Sequence, residues 1–383
     1  MPSYANARKD VGKINLFRVG GIRISIDFSW FVIFVLILWS LSVGYFPREF
    51  PAQNAYSYWG AGIVATLLFF LSVIFHELAH SLIAIRSGLQ IPEITLFIFG
   101  GISKLSEDAK DAADEFKIAV VGPLSSFVLA VVFMFLEKAA RSMQFPMTAV
   151  IFGYLTWINF ALAVFNLIPG FPLDGGRILR AFLWWKTGSL TSATKYASDV
   201  GKGLAVAMMI LGGIQIFGGM LIGGLWLIFI GAFLRGVAEG SYQEVLMRQS
   251  LEGVKVDEVM VREVVGVPPD LPVSRLISAY LLRYGYKGYP VMERAGEPIG
   301  IVEIFHIRDI HEEDRQSRTV AEVMEPINPD LVVEPDLPLI DALKKIGDSD
   351  LGRLLVIQDK QMVGLITKSG LNRFLEIRSI LGS

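Results

Sequence analysis

AGIVATLLFFLSVIFHELAHSLIAI, residues 61–85, is an apolar run of bilayer-spanning length that carries two histidines and a glutamate in its second half. Read as a helix, His76 and His80 stand at i and i+4 on one face, with Glu77 beside them. His-Glu-x-x-His on a helix is the spacing of a hydrolytic zinc site, two imidazole ligands and a carboxylate base. Ionisable groups inside hydrocarbon are costly and are kept where they perform a function. The run therefore sets both expectations at once: a membrane-embedded chain and a polar reaction centre within it.

The remainder of the chain fits that start. Of 383 residues, 53% are hydrophobic and 19% charged, too apolar for an ordinary soluble enzyme of this length. A net charge of −2 without a Lys/Arg block gives no electrostatic footprint for nucleic acid. No cysteine is present, so a metal would be held by histidine and carboxylate alone. The basic N-terminal stretch has no small-residue cleavage site after a short hydrophobic core, and no removable signal peptide is expected. Apolar segments near 28–46, 59–86, 116–136, 148–168, 200–217 and 219–238 give six spans. Glycines at 212, 213, 218, 219, 223 and 224 could bend the last two or join them in a tight hairpin. Arg48, Lys138 and Arg141 fall on one side of the membrane. The N-terminal tail with Arg8 and Lys9, together with Arg86, Lys104, Lys110, Lys117, Arg177, Arg180, Lys186, Lys195 and Lys202, falls on the other. The positive-inside rule then places both termini in the cytoplasm.

Composition changes after Arg235, and from Val254 onward charges are frequent and apolar runs short. A repeat of period near 64 pairs Val256-Asp257-Glu258-Val259-Met260 with Val320-Ala321-Glu322-Val323-Met324, Asp270-Leu271-Pro272 with Asp336-Leu337-Pro338, and Gly300-Ile301-Val302 with Gly364-Leu365-Ile366. Each copy reads as a short helix, a strand, a helix after Asp-Leu-Pro, and two strands. The expected organisation is a membrane domain over 1–245 and two soluble α/β repeats over 254–315 and 318–380.

Two histidines need a third ligand. The best candidate is Asp174 in Asn166-Leu167-Ile168-Pro169-Gly170-Phe171-Pro172-Leu173-Asp174-Gly175-Gly176-Arg177, where the prolines stop the fourth span and the glycines allow close approach. Zinc with two neutral imidazoles, one aspartate and one hydroxide is formally neutral, the least costly state to bury. Leu-Asp-Gly-Gly is also ordinary turn chemistry, so on its own Asp174 stays an alternative between ligand and turn residue. The acidic run Glu107, Asp108, Asp111, Asp114 and Glu115 is expected to be a solvated face. Asn159, seven residues before Asn166, is a candidate for lining the same cavity or for a helix-packing hydrogen bond.

His-Glu-x-x-His in a membrane helix, followed two spans later by Asn-x-x-Pro-x-x-Pro-x-Asp-Gly, resembles the site-2 protease family, intramembrane zinc metalloproteases of peptidase family M50. The resemblance implies His76, His80 and Asp174 as zinc ligands, Glu77 as general base, and Asn166 as the residue that steadies the substrate carbonyl. Phe99-Gly100-Gly101 and Gly122-Pro123 match further family elements. The soluble repeats resemble a tandem pair of CBS domains, which implies an adenine-nucleotide sensor or a homodimerisation module. The family's Gly-x-x-Thr-x-x-Asp element reads Glu303 and His306 in the first copy, and Thr367 and Gly370 in the second, so neither copy keeps the ribose-binding aspartate. His306 and His311 lack a third ligand at matching spacing.

Residues 94–104, aromatic, β-branched and interrupted by glycine, read as a re-entrant β-hairpin beside the zinc helix. Gly100 and Gly101 are candidate substrate-contacting positions, with an extended substrate added as a strand. The expected protein is thus a polytopic α-helical membrane protein with a soluble CBS module, residing in a prokaryotic cell membrane. It would cleave a membrane-tethered regulator such as an anti-sigma or pro-sigma factor. A CBS-gated transporter or channel and an inactive zinc scaffold are the alternatives.

Overall fold

The computed structural model describes residues 13–51, 53–98, 100–103, 109–293, 296–348 and 352–381. Arg8, Lys9, Phe99, Lys104, Glu107 and Asp108 lie outside the described residues. The chain divides into two compact units, Met1–Val245 and Leu246–Ser383.

The membrane unit begins with a hairpin, β1 (Lys13–Val19) and β2 (Ile22–Asp27), joined by Gly20 and Gly21, both at positive φ. Asp27 caps α1 (Phe28–Trp39), accepting a hydrogen bond from Ser29 N at 2.9 Å, and the apolar helix continues through one π turn to Glu49. Asn54 caps α2 (Ala55–Arg86), whose 32 residues extend about 48 Å, more than the ~30 Å of hydrocarbon. Then come β3 (Glu93–Phe97), β4 (Gly100–Ser103), α3 (Ala112–Ser142), α4 (Pro146–Asn166), α5 (Asp174–Thr187), α6 (Leu190–Phe217) and α7 (Leu221–Leu251). Among the described residues, six helices have the length and apolarity to cross a membrane: 28–49, 55–86, 112–142, 146–166, 190–217 and 221–251. The turn between the last two contains Gly219 at φ +86°, so the glycine-rich stretch makes a tight connection between two full spans. Large apolar side chains stay exposed along the spans, among them Leu67, Leu71, Phe127, Trp157 and Ile214, as expected where lipid is the solvent.

The expected hairpin is present as β3 and β4, antiparallel with Ile94 opposite Ser103 and Phe97 opposite Gly100. It belongs to a larger sheet of order β1-β2-β3-β4, in which β2 and β3 run parallel. β4 is an edge. Ile22, Ile24, Ile94 and Ala84 form a buried core between this sheet and the second half of α2, which ties the sheet to the helix bearing both histidines.

The soluble unit contains two three-stranded sheets. One holds β5 (Gly288–Met292), β6 (Pro298–Glu303) and β7 (Glu325–Pro326). The other holds β8 (Val332–Val333), β9 (Arg353–Gln358) and β10 (Gln361–Thr367), with α8 (Leu339–Asp348) and α9 (Lys368–Leu381) beside it. The repeat exchanges its leading segments. Val261 bridges Leu365 of the second copy, and Glu325 pairs with Ile301 of the first. Val256 and Met260 accordingly pack with Val333, Leu354 and Ile366, while Val320 packs with Val273, Tyr289 and Val302. The sequence repeat and the packing unit are therefore offset, and each core needs both copies.

Candidate metal centre

His76 and His80 are buried on α2, one turn apart, and Asp174 opens α5 after α4 ends at Asn166. Asp174 Oδ2 lies 3.1 Å from Nε2 of each histidine, and the two Nε2 atoms are 3.2 Å apart. The outer nitrogens are held from α3: His80 Nδ1 is 2.6 Å from the Ile118 carbonyl, and His76 Nδ1 is 2.9 Å from Ser126 Oγ. A carbonyl can only accept, so His80 carries its proton on Nδ1 and turns the Nε2 lone pair toward the carboxylate oxygen. Two electron-rich atoms that close favour a cation between them. Tetrahedral zinc with ligands at about 2.0–2.1 Å has ligand-to-ligand edges of about 3.3 Å, which this triangle matches. The three residues present thus fit the metal that the His-Glu-x-x-His spacing implies.

One face of α3 supports the site at spacings of three, four and four: Glu115, Ile118, Gly122 and Ser126. A Cβ on Gly122 would run into the His80 ring, so this helix approaches α2 only because position 122 has no side chain. Glu115 is fully buried and accepts hydrogen bonds from Arg180 of α5, with Nε at 2.7 Å and the terminal amine also bound. The acidic run is therefore not solvated throughout. Glu115 turns inward because Arg180, 65 residues away in sequence, supplies its counter-charge. Arg180 also lies over the Phe171 ring, 5.1 Å from its centre, and so ties the loop that precedes Asp174 to α3 and α5. A Cβ on Gly175 would strike the carbonyls of Leu167 and Ile168, and one on Gly176 the backbone of Gly170 and Phe171, which explains the glycine pair after Asp174.

A cavity of about 610 Å³ opens onto this triangle. It is lined by His76, Glu77, His80, Asn166, Asp174 and Arg177, by Gly100 and Gly101 of β4, and by apolar side chains of α1, α2, α4 and α7. Gly101 abuts Glu77: a Cβ there would collide with the Glu77 side-chain carbons. Asn159 is not brought to the cavity. It is 1% exposed, and its amide donates to the Leu155 carbonyl at 2.8 Å and to Ser72 Oγ of α2 at 3.3 Å, a helix-packing role. Seven residues separate it from Asn166, a rise of about 10 Å along the helix, so a shared face does not mean a shared depth. Ser126, the Ile118 carbonyl and the Glu115–Arg180 pair were not expected from the sequence. In an apolar span a serine beside glycine reads as close packing, and a carbonyl leaves no trace in the sequence at all.

At the CBS-like elements, Glu303 Oε1 is 2.7 Å from an Arg353 terminal amine, with both side chains largely buried. Thr367 Oγ1 accepts from Gly370 N at 3.0 Å. His306 Nδ1 accepts from Glu303 N at 3.2 Å, a local cap with no metal-ligand partner set among the described residues.

The sequence profile of peptidase family M50 matches residues 64–141 and 137–210, and that of the CBS domain matches 256–312 and 320–377. Zinc metalloprotease MJ0392 of Methanocaldococcus jannaschii is 31% identical over 366 residues, covering 95% of this chain and 96% of that protein. Rip3 of Mycobacterium tuberculosis is 31% identical over 366 residues, 95% of this chain and 93% of its own length. A solved site-2 protease from Methanocaldococcus jannaschii superposes with a TM-score of 0.43 at 31% identity, covering 60% of this chain and 95% of that one.

Proposed function

The chain belongs to peptidase family M50, a multi-pass membrane metalloprotease with two CBS domains, and on that premise we propose that it hydrolyses a peptide bond in or beside a membrane-spanning segment of a membrane-tethered regulatory protein. His76, His80 and Asp174 would hold one zinc ion. The observation that carries this reading is the triangle of inward-facing donors at 3.1–3.2 Å, set in a cavity among membrane-length helices with Glu77 on its wall.

When bound, zinc supplies a Lewis acid that activates water at neutral pH. Glu77 accepts the proton of the attacking water on its carboxylate and delivers it to the leaving amine. Asn166 offers its side-chain N–H to the scissile carbonyl oxygen and to the charge that develops there. Ser126 and the Ile118 carbonyl fix the imidazoles through their outer nitrogens. A substrate helix must unwind to expose a carbonyl, and β4, an edge strand bordering the cavity, can receive the extended segment by strand addition. Bulky substitution at Gly101 would block cleavage partly by displacing Glu77.

The positive-inside pattern supports a cytoplasmic N-terminus and cytoplasmic CBS domains, and the relatives from Mycobacterium tuberculosis and Methanocaldococcus jannaschii support a prokaryotic source. For the CBS pair, nucleotide sensing is the weaker reading. Glu303 and Thr367, at the motif positions, are engaged within the protein, which favours a structural or dimerising module.

The test compares wild type with Glu77→Gln in matched preparations. About one zinc per chain in both, with cleavage of a reconstituted membrane-spanning peptide lost only in the variant by about 10²–10⁴-fold, is expected. A wild-type chain that takes up no zinc after reconstitution would sink the proposal.

A further inference from the structure

Arg177 is the single Lys or Arg side chain on the cavity wall among the described residues. It stands three residues after Asp174 on α5, so the two side chains rise from one helical face with Cβ atoms about 5–6 Å apart. Its closest carboxylate is Glu115, whose Oε1 lies 3.7 Å from Arg177 Nε, beyond hydrogen-bond reach. That same oxygen is already taken by two nitrogens of Arg180. One carboxylate thus faces two guanidinium groups, and Arg177 is left without a hydrogen-bonded carboxylate although Glu77 shares its cavity wall. No ion pair joins Arg177 to Glu77, and among the described residues none accepts a hydrogen bond from its guanidinium. The side chain is only 19% exposed. A guanidinium on the wall of a cavity, with its donors unmet by the protein, offers them to a group that enters the cavity.

We infer that Arg177 selects substrate: its guanidinium takes the carboxylate of an Asp or Glu lying one to three residues from the bond that is cut. The inference rests on the proteolytic reading above. An extended residue advances about 3.3 Å, so a group on the same helical face as Asp174 reaches side chains at that remove from the scissile bond. The planar fork of arginine matches a carboxylate in a bidentate contact, which an amide of the same shape cannot reproduce. The other carboxylate that can fall there is the new C-terminus of the cleaved product. It would affect release rather than choice of substrate.

The experiment uses the full chain in vesicles with a library of membrane-spanning peptides, one apolar core carrying six varied residues at either membrane end, and reads cut sites by mass spectrometry. Matched pairs, Asp against Asn and Glu against Gln near the preferred cut, then give a ratio of kcat/KM. Wild type should favour the acid by about tenfold or more. Arg177→Gln should bring the ratio near one, Arg177→Lys should keep part of it, and Arg177→Glu should turn the preference toward Lys, each with zinc retained. The ratio does not move with a general loss of activity, so a residue that only braces Glu115 would leave it unchanged and overturn the inference. Equal cutting of acid and amide by wild type overturns it too. So does a variant in which only inhibition by product acids, against product amides, is relieved. A wild type that binds zinc yet cuts no peptide overturns the proteolytic reading together with this one.

Discussion

In the membrane unit, His76, His80 and Asp174 turn nitrogen and oxygen atoms toward one another at 3.1–3.2 Å, whereas in the soluble unit Glu303 meets Arg353 at 2.7 Å and Thr367 caps Gly370. On the proposed reading, the first arrangement is a set of ligands that takes a cation from outside the chain. The second sets a counter-charge against its carboxylate and an N–H donor against its hydroxyl, both from within the chain. Burial alone does not distinguish them, since the Glu303–Arg353 pair is about as shielded from solvent as His76 and Asp174. The sign and direction of the facing groups do: a ligand site is where the protein's own atoms do not satisfy one another.

The largest expected effects follow from removing a member of the unmet set. His80→Ala and Asp174→Ala should lower zinc from about one per chain to near none, measured on purified protein, and reduce peptide cleavage by at least about 10³-fold. Thr367→Ala in the soluble unit should change neither quantity. Zinc retained in full by Asp174→Ala would break the contrast, because the carboxylate would then be a turn residue as its Leu-Asp-Gly-Gly setting allows.

The self-matched pair answers differently to the same treatment. Arg353→Ala leaves Glu303 buried without its counter-charge and should destabilise the soluble unit by about 3–5 kcal/mol, read as a shift in the urea midpoint of its proteolytic protection in the full chain. Combining it with Glu303→Gln should recover most of the loss. If the single and double variants behave alike, the loss does not come from an unpaired Glu303 charge.

A smaller effect sharpens the picture of the metal site. Ser126→Ala removes the hydrogen bond that orients His76 and should weaken zinc binding about 10–100-fold in chelator competition, with the helices unchanged by circular dichroism. An unaltered affinity would mean that packing of α2 against α3 suffices to aim the imidazole.

The sequence made some of this legible and hid the rest for physical reasons. Spans are readable because a bilayer demands length and apolarity, and α2 announces its site because His76, Glu77 and His80 are local in sequence. Asp174 could be singled out because Pro169 and Pro172 break a span where a break must be covered. The β1–β2 hairpin is hidden in the basic N-terminal stretch despite its Gly20-Gly21 turn and alternating Ile22, Ile24 and Ile26, because its place depends on a parallel pairing with β3, 70 residues on. Glu115 reads as solvated because its neighbours are acidic, while its partner Arg180 lies on another helix. The exchange of leading segments between the CBS copies is likewise hidden, because segments of the same pattern could pair within a copy or between copies.

The smallest effect concerns pH and tests whether Glu303 is as sheltered as its contacts imply. Burial pushes its carboxyl up from the ordinary glutamate value, with the Arg353 charge opposing the shift. Upward displacement in the folded state means that the native chain holds more protons than the unfolded one between the two values, so stability falls as pH rises through that window. The window opens near the free value of about 4.3 and closes above the raised one, after which the curve is level. Urea midpoints of the soluble unit in the full chain, taken from about pH 4.5 to 7.5, should therefore decline gently, and Glu303→Gln should flatten that decline. A variant with the same slope as wild type would assign the decline to other groups and place Glu303 in better-solvated surroundings. The ion pair would then rank with surface salt bridges, which contribute about 0–1 kcal/mol, and the expected penalty for Arg353→Ala would shrink with it.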